Sequence, residues 1–467
     1  MPIDELLVAG DSSEAGRAIP IRLVGEDTLA TVLQGLSEPH RAWAEAQDFK
    51  AQSEHMVVLP AATGRPAAVL FGVGDEAQTA DPFLPGRLAS LAPEGVYYFA
   101  NGRRSLRLAA LSWLLDRYRF DLYKSRPRET TARLVIPDGV DGKAIIAEAK
   151  AVALARDLIN TPSNEMGPHE LATAAQVLAR EFDAEIKVVH DHERLKHDFP
   201  MVHAVGRAST RAPRLIDLVW GVDDGPRVTL VAKGVCFDTG GLNLKPGHSM
   251  ALMKKDMGGA ANVLALARMI MADRLPIRLR VLIPAVENAI SGDAFRPGDV
   301  LKSRKGLRVE IGNTDAEGRL ILADALALAD EDKPELLIDM ATLTGAARVA
   351  LGPGVPPFFT DNDDLADALQ RHAMAENDPL WRLPLWRDYD RWIDSEIADV
   401  NHIADNAFAG SLVAALFLKR FVEKAKAYVH LDIYGWTPKA RPGRPAGGEA
   451  QGIRALFALL KERYATA

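Results

Sequence analysis

The stretch from Arg227 to Val286 decides the architecture. RVTLVAKGV (227–235) is an apolar run with one lysine in it, GGAANVLALARMIMADR (258–274) is rich in small helix formers, and IRLRVLIPAV (277–286) is a second apolar run. Short apolar runs bounded by Gly and Pro have the pattern of buried strands, and the longer stretch between them reads as a helix. The alternation continues downstream. ELLIDMATL (335–343) and YVHLDIYG (428–435) read as strands, and RLILADALALAD (319–330) and GSLVAALFLKRFVEKA (410–425) as helices. Strands alternating with helices predict an α/β layer structure around a largely parallel or mixed sheet. In such sheets ligands bind outside the carboxyl ends of the strands.

Working back towards the N-terminus, HMVVLP (55–60) and AAVLFGVG (67–74) read as strands, and SLRLAALSWLLDRY (105–118) has helical spacing. After the turn-rich IPDGVDG, the Ala-rich KAIIAEAKAVALARDLIN (143–160) favours a long helix. The domain boundary is placed within that helix near Lys150, which gives domains 1–150 and 151–467. A chain of 467 residues accommodates two to three domains. Internal repeats and low-complexity tracts are absent from the sequence.

The net charge of -7 lacks the basic footprint of a dedicated nucleic-acid binder. The local cluster Arg103, Arg104 and Arg107 reads as a solvated face. MPIDELLVAGDSSEAGR puts acids where a secretory signal has a basic region, and no stretch reaches the roughly 18 apolar residues that span a bilayer. A single cysteine, Cys236, excludes an intrachain disulfide and a Cys-based zinc cluster. These features predict a cytoplasmic protein without a membrane or nucleic-acid partner.

Chemistry-bearing residues sit where the strands end. LVAKGVCFDTGGLNLKPG (230–247) places Lys233, Asp238 and Lys245 at and after one strand, and MKKDMGGAAN (253–262) puts Asp256 before a helix start. VEIGNTDAEGRL (309–320) carries Asp315, Glu317 and Arg319 at alternate positions, which share one face if the segment is extended. Four carboxylates in one crevice repel unless something neutralises them, and divalent metals do so. Two metals side by side can activate water and polarise a carbonyl.

Structural readings compete with this one. Thr314 and Glu317 fit a capping box, Asp256 fits an N-cap, and Asp238-Thr-Gly-Gly fits a Gly-rich turn. Lys233 in an apolar strand resists such a reading, because a buried ammonium needs an anion or must lose its proton. Asp238-Thr-Gly also resembles the aspartic-protease motif, but that chemistry needs two such carboxylates and the chain has one copy. Cys236 reads as a small buried residue rather than a nucleophile.

NTDAEGRLILADAL resembles the signature of the leucyl (cytosol) aminopeptidase family. KGVCFDTGGLNLKP, MKKDMGGAA, VENAISGDAFRPGDV and DMATLTGA resemble further family blocks in the family's order, led in by DLINTPSNEMGP (157–168). The resemblance covers Asp157 to the C-terminus. It implies a small N-terminal α/β domain and a larger C-terminal α/β/α catalytic domain with a central mixed sheet. It also implies removal of N-terminal residues from peptides that have a free N-terminus, with a broad leucine-type preference, by two divalent ions, Zn2+ or Mn2+.

By resemblance, Lys233, Asp238, Asp256 and Glu317 hold one ion. Asp238, Asp315 and Glu317 hold the other, aided by the Asp315 carbonyl. Lys245 stabilises the oxyanion, Arg319 holds a bicarbonate, and Met253 and Thr342 line the pocket for the first side chain. A homohexamer, a dimer of trimers, is implied in the same way. The chain departs from the family pattern at GGEAQGIRAL (447–456), at Gly206-Arg-Ala-Ser and at DIYGW (432–436), all outside the metal and catalytic positions. A narrower dipeptidase acting on Cys-Gly and a non-catalytic scaffold or DNA-binding relative are the rival readings. Retention of all seven metal and catalytic positions favours the enzyme.

Overall fold

The computed structural model describes residues 2–75, 81–102, 106–125 and 131–465. Its contacts divide it into two compact units: Met1–Ala153 with Lys439–Ala446, and Leu154–Pro438 with Gly447–Ala467. The division falls inside the helix Gly142–Asn160.

Among the described residues the first unit is built on six strands: β1 (Leu7–Val8), β2 (Ile19–Gly25), β3 (Met56–Pro60), β4 (Pro66–Gly74), β5 (Gly95–Phe99) and β6 (Ala132–Val135). Their spatial order is β1-β6-β5-β2-β4-β3, and every pair is parallel except β3 with β4. β4 is buried from Val69 to Gly74, as its unbroken apolar run requires, whereas the edge strand β3 alternates. The helix Leu106–Asp116 is buried from Leu108 onward. Arg103, Arg104 and Ser105 lie outside the described residues. Arg107 is ion-paired with Glu148 at 2.8 Å, a structural use of that charge.

The second unit contains β7 (Glu185–Val189), β8 (Arg214–Gly221), β9 (Arg227–Ala232), β10 (Gly234–Asp238), β11 (Arg278–Asn288), β12 (Val300–Lys302), β13 (Arg308–Glu310), β14 (Leu336–Ala341), β15 (Pro357–Phe359), β16 (Trp381–Arg382), β17 (Val400–Asn401) and β18 (Tyr428–Asp432). The main sheet runs β16-β15-β18-β14-β9-β11-β8-β7, with β10 also pairing β11. The central strands β18, β14, β9 and β11 are parallel, and β8, β7 and β15 join antiparallel, so the sheet is mixed. A small separate sheet joins β12, β13 and β17.

One face of the main sheet, through Val231, Leu282, Leu337 and Ala341, packs with Leu320, Leu322 and Leu326 of helix Glu317–Glu331 and Val413 and Phe417 of helix Gly410–Lys419. Side chains alternate along a strand, so Leu230, Val281, Ile338 and Met340 point to the other face, where helix Gly258–Ala272 packs. Three layers result, α/β/α.

The run 227–235 is not one strand. It breaks at Lys233, whose backbone N–H donates to Met340 O at 3.1 Å and whose carbonyl accepts from Ala260 N at 3.0 Å. This one residue therefore ties the central strand β14 to the start of helix Gly258–Ala272. A Cβ on Gly259 would lie 2.2 Å from Met340 O, so only glycine lets that helix start so close to β14. Among the described residues no helix is long and apolar enough to cross a membrane.

Candidate metal centre

The carboxyl ends of the central strands supply one wall of the site. Lys233 sits at the break after β9, and Asp238 ends β10. Asp238 Oδ1 accepts from Gly240 N at 2.8 Å, so the Gly-rich turn reading also holds. Gly240 has φ +87, and a Cβ there would lie 2.5 Å from Asn243 O. Asp256 comes from the single 3-10 turn Met253–Met257.

NTDAEGRL is not extended. Asn313 caps a 3-10 turn, Thr314–Ala316, by accepting from Asp315 N, and Glu317 then opens helix Glu317–Glu331. Asp315 and Glu317 converge because the chain turns between them, not because they share a strand face. The capping-box reading also fails. Thr314 Oγ1 donates to Gly240 O at 2.7 Å and accepts from Asn243 N at 2.9 Å, which latches this turn onto the 240–243 loop. Asp256 is not an N-cap either. Met257 holds that position, and Asp256 Oδ1 accepts from Thr342 Oγ1 at 2.8 Å.

Oxygens of Asp238, Asp315 and Glu317 lie within 4.8 Å of one another. Lys233 Nζ stands 2.7 Å from Asp256 Oδ2 and 2.9 Å from Glu317 Oε1, all of them buried. Lys245 Nζ lies 2.8 Å from Asp238 Oδ2 and also contacts Asp315 Oδ1. Arg319 stands apart from this cluster. Its Nη1 donates to His402 O at 2.7 Å, and its buried Nε has no hydrogen-bond partner among the described residues.

Electrostatics follow from burial and crowding. Burial and the neighbouring Asp238 charge push the Glu317 carboxyl up to about 8. Burial and Asp256 push Asp238 up to about 6. Burial opposes the Lys233 charge, but Asp256, Glu317 and Asp238 outweigh it and hold the ammonium above its usual range. Lys245 is raised in the same way, with Asp238 and Glu317 overcoming burial. Burial also opposes the Asp256 charge, yet Lys233, Lys255 and Lys245 hold it below its usual value. Burial lowers Arg319 to about 10 and Lys255 to about 7.

Several supporting residues escaped the sequence reading. Asn288 Nδ2 donates to Asp238 Oδ1 at 2.9 Å and to Thr314 O at 3.0 Å, joining the two halves of the cluster. The His402 ring bridges Asn313 O at 2.9 Å and Gly312 N at 3.2 Å, which fixes the turn before Asp315. Asn288 lies within VENAISGDAFRPGDV, so a signal existed there, whereas nothing in the sequence connects His402 to Asn313. Met253 is half-buried, and Thr342 is spent on Asp256 with its methyl turned towards Gly258. Cys236 is fully buried, and burial pushes its thiol well up, which suits a core residue.

The donor set fits divalent cations. Among the described residues Glu317 Oε2 is buried with no hydrogen-bond partner, an expensive state for a carboxylate oxygen. Hard oxygen ligands from three side chains meet within reach of a single ion, and Lys233 and Asp256 adjoin them.

A layered α/β unit with carboxylates and a lysine gathered at the strand ends suits a metal-dependent hydrolase. The catalytic-domain model of the cytosol aminopeptidase family matches residues 153–457, and the N-terminal-domain model of M17 aminopeptidases matches 19–137. The chain therefore belongs to the cytosol aminopeptidase family and is a metallo-aminopeptidase. It is 42% identical over 366 residues to a probable cytosol aminopeptidase of Syntrophotalea carbinolica, covering 75% of this chain and 73% of that one. A probable cytosol aminopeptidase of Chlorobium limicola is 35% identical over 459 residues, covering 89% and 91%. The crystal structure of cytosol aminopeptidase from Coxiella burnetii superposes with a TM-score of 0.93 at 43% identity, covering 98% of this chain and all of that one, 100%. The bottromycin maturation enzyme BotP in complex with Mn superposes at 0.85 with 30% identity, covering 95% and 99%.

Proposed function

We propose that this aminopeptidase removes single N-terminal residues from peptides, with broad leucine-type acceptance, at a dinuclear centre of Zn2+ or Mn2+. Lys233, Asp238, Asp256 and Glu317 would hold one ion, and Asp238, Asp315 and Glu317 the other, with the Asp315 carbonyl assisting. The observation that supports this reading is the convergence of Asp238, Asp315 and Glu317 around the unpartnered Glu317 Oε2. When bound, the two ions supply Lewis acidity, acidifying water and polarising the scissile carbonyl.

The protein's own groups do the rest. Lys245, held charged by its carboxylate neighbours, donates to the oxygen that becomes anionic as the carbonyl is attacked. Arg319 offers a buried, unused Nε–H, and its planar fork suits bicarbonate. Thr342 fixes the Asp256 carboxylate, and Met253 lies on the same turn as Asp256, where it meets the first side chain. The N-terminal unit is assigned to assembly of a homohexamer, and the enzyme to the cytoplasm.

The test is hydrolysis of amino-acid anilides after chelation and after Zn2+ or Mn2+ is added back. Activity is expected to vanish on chelation, to return with metal and to require a free α-amine. Equal rates on N-acetylated anilides would overturn the assignment.

A further inference from the structure

Beside Asp256 the chain places a buried lysine without a hydrogen-bonded counter-ion among the described residues. Lys255 is 3% exposed, and among the described residues no hydrogen-bond acceptor meets its Nζ, which lies 5.0 Å from the centre of the Tyr434 ring. A second cation faces the same ring: Arg348 Cζ is 5.1 Å from its centre, and the buried Arg348 Nη1 makes no hydrogen bond. The Tyr434 hydroxyl has no partner among the described residues either.

Carboxylates on adjoining residues are already committed. Asp256 is engaged by Lys233 and Thr342. Asp432 accepts from Leu343 N, Thr344 N, Thr344 Oγ1 and Ser411 Oγ, and its nearest approach to Arg348 is 3.8 Å. A ring face offsets part of the cost of a buried cation, but two cations sharing one ring repel and neither gains an acceptor.

The position of this corner indicates what fills it. Thr342 bonds Asp256, and its methyl lies 3.0 Å from where a Cβ on Gly258 would stand and 3.3 Å from one on Gly435. Lys255 precedes Asp256, and Tyr434 precedes Gly435. Lys255 and Tyr434 are thus next in chain to the residues that surround Thr342, the residue assigned under the aminopeptidase reading to the first-side-chain pocket.

We propose that Lys255, Arg348 and Tyr434 form a carboxylate-accepting corner of the first-side-chain pocket, which adds N-terminal glutamate and aspartate to the residues this enzyme removes. The proposal rests on the aminopeptidase reading of the site. A carboxylate presented there accepts charge-assisted hydrogen bonds from Nζ and Nη1, which a carboxamide of the same shape receives only in weaker form.

The experiment measures kcat/KM of the Mn2+-loaded full-length protein on Glu-, Gln- and Leu-p-nitroanilide, with calorimetric titration of L-glutamate and L-glutamine alongside. Glu is expected to exceed Gln by about tenfold or more, the margin of charge-assisted over neutral hydrogen bonding. Lys255→Met and Arg348→Met, made separately, are each expected to bring the Glu/Gln ratio towards one and to lower Glu relative to Leu. Tyr434→Phe keeps the ring and is expected to lower the ratio by a smaller factor. Glu no better than Gln, with Leu still cleaved, overturns the corner and leaves the aminopeptidase standing. If no anilide is cleaved the aminopeptidase reading fails, and the titrations decide: glutamate binding no tighter than glutamine overturns the corner too. A Lys255-dependent preference for Leu-Gly over Leu-Gly-amide would assign the donors to a dipeptide C-terminus and overturn the side-chain proposal.

Discussion

Lys233 Nζ and Asp256 Oδ2 stand 2.7 Å apart, both on buried side chains. In the metal-free protein this pair keeps a buried carboxylate neutralised. Lys233→Met removes the nearest cation and leaves the Asp256 charge to the more distant Lys255 and Lys245. Urea unfolding of the chelated protein is expected to show a loss of about 3 kcal/mol, the scale for breaking one partner out of a buried pair. A loss of a few tenths would show that the lysine is not the counter-charge.

Glu317 gives the chelated enzyme a distinct pH dependence. Its carboxyl is raised from 4.5 to about 8 in the folded state, so the folded protein holds a proton that the unfolded chain has released. That contribution to stability is complete below 4.5 and is lost as pH rises through about 8. Unfolding free energy is therefore expected to fall across this window, and Glu317→Gln to flatten the fall. A rise across the window in the wild-type protein would contradict the assignment.

Gly318 lies in the first turn of helix Glu317–Glu331, where alanine is worth about 1 kcal/mol over glycine in an ordinary helix. Here a Cβ would come 2.7 Å from Lys233 Cδ and Cε. Gly318→Ala is expected to push the Lys233 side chain aside and lower metal content on gel filtration at sub-micromolar free metal. Full metal content with raised stability would show that Lys233 is dispensable.

Lys245 touches Asp238 and Asp315 but is assigned to the reacting oxygen. Lys245→Ala is expected to reduce kcat by about 100- to 1000-fold, as loss of an oxyanion donor does. Metal content by elemental analysis should stay near wild type. Loss of bound metal in step with activity would make Lys245 a structural residue of the centre.

The sequence revealed the parts of this site that depend on local order. Asp315, Glu317 and Arg319 lie within five residues, and Lys233 is conspicuous because it interrupts an apolar run. The mixed sheet was legible because β9, β11, β14 and β18 are short apolar runs separated by helical stretches. The conformation of NTDAEGRL was not legible. Alternation implied an extended segment, but the Asn313 cap and the Thr314 latch to Asn243, 71 residues away, make it a turn. Lys255 escaped notice because its meaning depends on Tyr434 and Arg348, which meet it only through the fold. The departure at DIYGW was visible in sequence, although the two cations facing Tyr434 were not.

Lys233 is bound through its backbone to Met340 and Ala260 and through its side chain to Asp256 and Glu317. The strand, the helix start and the two carboxylates thus share one anchor. Tyr434 and Arg348 are outside that anchor. Under the proposed corner, a substitution at either residue would alter which N-terminal side chain is accepted and leave every contact of Lys233 in place. Selectivity and hydrolysis would then be mechanically uncoupled.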